Sequence, residues 1–265
     1  MSLGKPGVGG KLREWRERRR LSQLDLALDA DISTRHLSFL ETGRAQPSRE
    51  MVLRLAEQLD VPLRERNALL VAAGFAPVFP ERRLDDPALA AARRAVDVIL
   101  AGHEPYPALA VDRQWNLVAA NRAVAPLLDG VAPELLAPPL NVLRLSLHPQ
   151  GLAPHILNLA EWRAHLLERL RSETVLTADP QVEALLAELE SLPRPPASDR
   201  RHEDFGGVAV PLRMELGGRV LSFISATTVF GTAVDVTLAE LTLETFFPAD
   251  DETAAALRAM APRPA

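Results

Sequence analysis

Residues 23–42 read QLDLALDADISTRHLSFLET, and the spacing of their apolar side chains predicts two short helices meeting at a tight corner. Leu26, Ala27 and Ala30 share one face of the first helix, Ile32 lies in the turn, and Leu37 and Leu40 share one face of the second. Ala27 is small where the helices must approach closely. Asp31 occupies the turn position that wants a left-handed backbone, which Asp tolerates better than most residues other than glycine. Outward from this corner, "GKLREWRERRR" precedes it, and "SREMVLRLAEQL" and "PLRERNALLVAAG" follow, so five helices are expected. Ser22, Ser33 and Ser48 each stand before a helical run, where a hydroxyl can accept a hydrogen bond from the first turn. Pro62 suits a first helical position, and Gly43 and Gly74 sit where helices should end.

With "LETGRAQPS" after the second helix of the corner, this five-helix layout resembles the helix-turn-helix of the lambda-repressor/Cro family, also called the xenobiotic-response-element (XRE) family, over about residues 8–75. Asp31 departs from the glycine that many members carry there. The resemblance implies that the helix beginning near Ser33 enters the major groove of DNA. On that basis Gln23 clamps a phosphate, and Ser33, Thr34, Arg35, Ser38 and Phe39 form the outward face that reaches base edges or backbone. Arg35 suits guanine, whose O6 and N7 its fork can bond together, worth about 1–3 kcal/mol of discrimination. Phe39 can pack on a thymine methyl and Arg44 can hold a phosphate. His36 is either a backbone contact or a solvated side chain.

Composition neither demands nor forbids this role. The whole chain of 265 residues carries a net charge of −5, but residues 1–79 hold 13 Lys and Arg against 10 Asp and Glu, leaving −8 for the remainder. With no cysteine, disulfides, thiolate metal clusters, a cysteine nucleophile and a flavin–cysteine adduct are excluded. No apolar run approaches membrane-spanning length and the N-terminus lacks a signal-peptide pattern, so a soluble, cytoplasmic protein without membrane partners is expected.

Pro and charge concentrate in "GFAPVFPERRLDDP", Gly74–Pro87, which reads as a linker. The expected division is a DNA-binding domain over 1–75, a linker over 76–87 and a second domain over 88–265. After the helical run "DPALAAARRAVDVILAGHE", the stretch "PALAVDRQWNLVAANRAVAPLL" reads as strand, polar turn, strand and a helix entered at Asn121. It resembles the opening of a PAS domain, a sensor fold built on a five-stranded antiparallel sheet. Three later runs fit strands. In the first, Val208, Val210, Leu212, Met214 and Leu216 alternate with polar or small residues, and Pro211 places that strand at an edge or a bulge. Gly217 and Gly218 predict a hairpin turn. "RVLSFISATTVFG" is the second, and in "DVTLAELTLETFFP" Ala239, Leu241 and Leu243 alternate with Glu240, Thr242 and Glu244. Between the sheet parts lies a helical insert with Leu159, Trp162, Leu166 and Leu170 on one stripe, followed by a helix capped by Asp179. The expected fold is therefore an α-helical lambda-repressor-like DNA-binding domain plus an α+β PAS-like domain with an antiparallel sheet and a helical insert.

Nearly end to end, and through "LRLSLHPQGLAPHILNLAEWRAHLL" and "FGTAVDVTLAELTLETFFPADDET", the chain resembles the MmyB-like transcriptional regulators. The resemblance implies a transcription factor whose second domain binds a small, fatty-acid-like effector. A long-chain ligand needs an apolar tunnel and a polar or cationic anchor. Leu143, Ile156, Leu159, Trp162, Leu166, Phe223 and Thr227 are the expected lining, with Asn121, Arg144, His148 and Arg163 as anchors. Plain core for the Leu and Trp stripe, a loop cap for His148 and a carboxylate partner for Arg163 are the competing readings. The expected partners are an operator in double-stranded DNA, an effector and a second copy of the chain. No catalytic motif is present, and His148, His155 and His165 are not spaced to share a metal, so neither enzyme activity nor a cofactor is expected. The alternatives are a haem sensor using one of those histidines, an enzyme using the same cavity, and a dimerisation or protein-interaction module without a small-molecule ligand.

Overall fold

A computed structural model describes residues 7–195, 209–231 and 233–260. Val208 of the expected edge strand lies outside the described residues. Packing divides the chain into two compact units: the chain up to Arg83 with Val175–Thr177 and Thr232–Ala239, and the rest. No helix among the described residues is long and apolar enough to cross a membrane.

The first unit holds α1 (Val8–Arg18), α2 (Gln23–Asp29), α3 (Thr34–Glu41), α4 (Arg49–Gln58) and α5 (Leu63–Ala72). Ser22, Ser33 and Ser48 cap α2, α3 and α4, each hydroxyl accepting from the backbone N–H three residues on. Pro62 stands one place earlier than expected, as the residue before α5 rather than its first. All five helices stop the same way, at a left-handed residue two places beyond the end: Arg20, Asp31, Gly43, Asp60 and Gly74, with φ of 55°, 52°, 72°, 46° and 87°. After each, the next N–H reaches back five residues, from Leu21 to Arg16, Ile32 to Ala27, Arg44 to Phe39, Val61 to Ala56 and Phe75 to Leu70. Three of these positions lack glycine and accept a cost of about 1–2 kcal/mol each. An apolar residue follows at Leu21, Ile32, Val61 and Phe75, and it seals the helix end.

Leu12, Leu26, Leu37, Leu40, Leu55, Leu59, Leu69 and Leu70 are wholly buried in this unit, each contributing about 1.5–3 kcal/mol by leaving water. α1 and α3 touch backbone to backbone: a Cβ on Gly9 would sit 2.2 Å from the Leu40 carbonyl oxygen. In the stretch expected as linker, Val78 and Phe79 donate to Asn67 of α5. The segment α11 (Val236–Ala239) also belongs to this unit: Val236 N–H donates to the Pro80 carbonyl at 2.8 Å and is fully buried, and Asp235 pairs with Arg82 at 2.9 Å. The strand expected from Asp235 onward thus begins only at Thr242, and Val236–Ala239 forms a helical turn instead.

The second unit is built on one antiparallel sheet of order β2-β1-β5-β4-β3, made of β1 (Ala108–Val111), β2 (Leu117–Ala120), β3 (Leu212–Leu216), β4 (Arg219–Val229) and β5 (Thr242–Pro248). β3 is an edge strand with Pro211 just before it, and Gly217 and Gly218 turn into β4 with φ of 56° and 74°. Asp112 ties the β1–β2 turn by accepting from the N–H groups of Gln114 and Asn116. β1 is buried on both faces. Its alanines, Ala108 and Ala110, meet Val96 and Leu100 of α6 (Ala90–Gly102), while Leu109 and Val111 point to the opposite face. There α8 (Val142–Leu147), α9 (Leu159–Thr177), α10 (Pro180–Ser191) and α12 (Asp251–Met260) supply the main core, and the short α7 (Pro133–Leu136) leads into α8. Trp162, Leu166, Leu167 and Leu170 are the buried stripe of α9, and Asp179 caps α10 by accepting from Gln181 N–H at 2.9 Å.

Candidate functional site

Two places concentrate chemistry, one in each unit. In the first, α3 presents an exposed Arg35 beside half-buried Thr34, His36, Ser38 and Phe39. The Phe39 ring has two cations near it, with the Arg35 guanidinium 5.3 Å and that of Arg44 6.0 Å from its centroid. Ser33 stands at the helix start, its oxygen accepting from His36 N–H at 3.1 Å and its hydroxyl hydrogen left to donate outward. Beneath this face Arg16 donates through Nε and Nη2 to both oxygens of Glu41, at 2.6 and 3.0 Å, and through Nη1 to the Leu21 carbonyl at 2.8 Å. Gln23 donates one amide hydrogen to the same carboxylate at 2.8 Å, which orients its carboxamide. The sequence-expected DNA residues therefore stand at the start of α2, along α3 and, for Arg44, in the turn after it, and Gln23 is bonded to a buried ion pair that the sequence reading missed.

In the second unit, a cavity with a free volume of about 100 Å³ opens between the sheet and α8 and α9. Its walls are apolar apart from Ser146, Arg169, Ser225 and Glu244. Of the expected lining, Leu143, Trp162, Leu166 and Phe223 face it. Ile156 is instead plain core, bridged to Met214, and Leu159 packs at the core's flank. Thr227 bonds Glu244 from the neighbouring strand.

None of the four expected anchors lines the cavity, because each has other work. Asn121, 8% exposed, accepts from Ala108 N–H and donates to the Leu100 and Tyr106 carbonyls, joining α6 to β1. Arg144 forks onto Glu188 at 2.6 and 2.7 Å. His148 accepts from Gln150 N–H through Nδ1, a loop cap. Arg163 donates to the Leu189 and Glu190 carbonyls near the end of α10, rather than to a carboxylate.

The cation that does line the cavity is Arg169, three residues beyond Leu166 on the same helical stripe, which is the signal that could have found it. Its Nη2 donates to Glu244, which is 4% exposed and also accepts from the Thr227 hydroxyl at 3.0 Å. The guanidinium stacks on Trp115 at 4.4 Å, and Trp115 Nε1 donates to Glu173 at 2.8 Å. Burial pushes the Glu173 carboxyl above the usual range, against the pull of its bond from Trp115. Burial first, then the charge of Arg169, holds His165 below its ordinary value, and its ring lies 5.4 Å from that of Trp162. Trp162 Nε1 donates to Ser146 at 3.0 Å, so the indole is fixed with its apolar body inward. This arrangement can enclose an apolar body and hydrogen-bond one polar end.

Residues 92–260 match a family model described as the MmyB-like transcription regulator ligand binding domain, and residues 12–66 match one described as Helix-turn-helix. Among curated proteins none matches the chain. The first match spans more than half of the sequence.

Proposed function

The chain belongs to the transcription regulators with an MmyB-like ligand-binding domain, and from that premise we propose a cytoplasmic homodimer that reads an operator through α3 and takes a fatty-acid-like effector into the second unit's cavity. A DNA-binding unit joined to a ligand-binding unit is what the two family matches establish. The finer reading rests on one observation: a cavity with apolar walls broken by one arginine, Arg169, bonded to Glu244, and by two serine hydroxyls. An acyl tail fits the apolar walls and its head reaches Arg169 and Glu244. The antiparallel five-stranded sheet supports the PAS-like description of this unit.

One helix-turn-helix reads only a few base pairs, so two copies on half-sites about one helical turn apart supply the affinity. The effector alters DNA binding to the extent that it prefers one of two dimer states. Native mass spectrometry followed by denaturing extraction tests both halves of the reading. A dimer releasing an acyl compound supports it; a dimer that is empty and binds no added acyl compound would leave an interaction module. On the DNA side, Arg35→Ala should weaken operator binding by about 1–3 kcal/mol while leaving effector binding intact, and equal operator affinity would remove Arg35 from the readout.

A further inference from the structure

The cavity's cation is already spoken for. Arg169 bonds Glu244 directly, and on its open face it stacks on Trp115, whose indole in turn bonds Glu173. The guanidinium thus already has one buried carboxylate in direct contact, Glu244, and lies over an indole whose N–H is bonded to a second carboxyl group, Glu173. The remaining charged or titratable groups nearby do not change the balance. Asp179 is paired with Arg113 at 2.9 Å, and burial and Arg169 oppose the charged form of His165 more than Glu244 favours it.

Given the proposed lipid-like occupant, on which this inference rests, we infer that the effector meets Arg169 and Glu244 with an uncharged head group that can donate a hydrogen bond: an alcohol, an amide or an un-ionised acid. A carboxylate head would be a second carboxylate on a guanidinium that Glu244 already neutralises, in a poorly solvated site, and a buried charge without its own partner is costly. A hydroxyl or amide fits what is there. It donates to Glu244 and accepts from one of the guanidinium's remaining hydrogens, for Arg169 carries five and spends one on Glu244. The other two polar wall groups, Ser146 and Ser225, are neutral hydroxyls that suit the same kind of head.

The test uses the full-length protein stripped of bound lipid and three probes of one chain length: dodecanol, dodecanamide and dodecanoate. Each is titrated below its micelle concentration at mildly acidic and mildly alkaline pH, with tryptophan fluorescence as the readout. The neutral probes should bind at least about tenfold more tightly than dodecanoate in alkali. That gap should narrow in acid as the probe's own carboxyl protonates. In Glu244→Gln the gap should shrink at alkaline pH, because the competing carboxylate is gone. Tighter binding of dodecanoate than of either neutral probe at alkaline pH overturns the inference, and this comparison needs no variant to fold. Binding of none of the three overturns the lipid reading itself and the head-group inference with it.

Discussion

Each unit sets an arginine against a buried glutamate, and the two pairs differ in what surrounds them. Arg16 and Glu41, whose side chains are 10% and 2% exposed, are closed in by α1 and α3. Both carboxylate oxygens and three guanidinium nitrogens are bonded. Arg169 and Glu244 border free volume, with one hydrogen bond between them and an aromatic face beneath the cation. The same two side chains serve as a rigid support where the space is filled. Where space is left, they remain available to a third molecule.

The sharpest way to break this comparison is to remove one partner from each pair. Glu41→Ala should destabilise the first unit by about 3–5 kcal/mol, because it strands the Arg16 charge in a filled interior. Chemical denaturation followed on that unit checks it, and a cost below about 1 kcal/mol would mean that the pair behaves as a surface bridge. Glu244→Gln should cost less, about 1–2 kcal/mol, since Arg169 keeps its aromatic stack and the cavity can admit water. Equal costs at the two sites would erase the distinction drawn here. Smaller again is Ser33→Ala, which removes the cap of α3 and should cost about 1 kcal/mol in the same denaturation experiment. An unchanged midpoint would show that the hydroxyl's bond to His36 is not holding the helix.

The finest test concerns acid. Because the folded-state pKa of Glu173 is raised by burial, its contribution to stability is full below the ordinary carboxylate value and declines as pH rises through its folded value. Glu173→Gln should flatten that part of the stability profile of the second unit, measured as midpoint against pH. A profile with unchanged slope would show that the carboxyl is better solvated than its surroundings suggest.

These contrasts also explain what could be read from the chain and what could not. The serine caps, Asp31 and the apolar corner of α2 and α3 are local: each signal and its consequence lie within a few residues, so the helix-turn-helix was legible almost to its ends. The hairpin at Gly217 and Gly218 was legible for the same reason. Glu244 was not. An alternating strand suggests one apolar face inward and one polar face outward, whereas Leu243 packs against α6 and Glu244 turns into the cavity, because the sheet is covered on both sides. Arg144 and Arg163 looked like anchors because nothing in the sequence shows that Glu188 and the end of α10 would come within reach. Arg169 shares the stripe of Leu166, but what sets it at the cavity is partners 54 and 75 residues away, Trp115 and Glu244.

The segment containing α11 has a practical consequence for anyone dividing this protein into pieces. The first unit is discontinuous in the gene: Val236, Asp235 and Thr237 are part of its packing, yet they are encoded after most of the second unit. A fragment ending at Arg83 would leave Arg82 without Asp235 and Pro80 without the N–H of Val236. Measurements on such a fragment would report on a DNA-binding unit missing part of itself, so stability and operator affinity are properties to be measured on the whole chain.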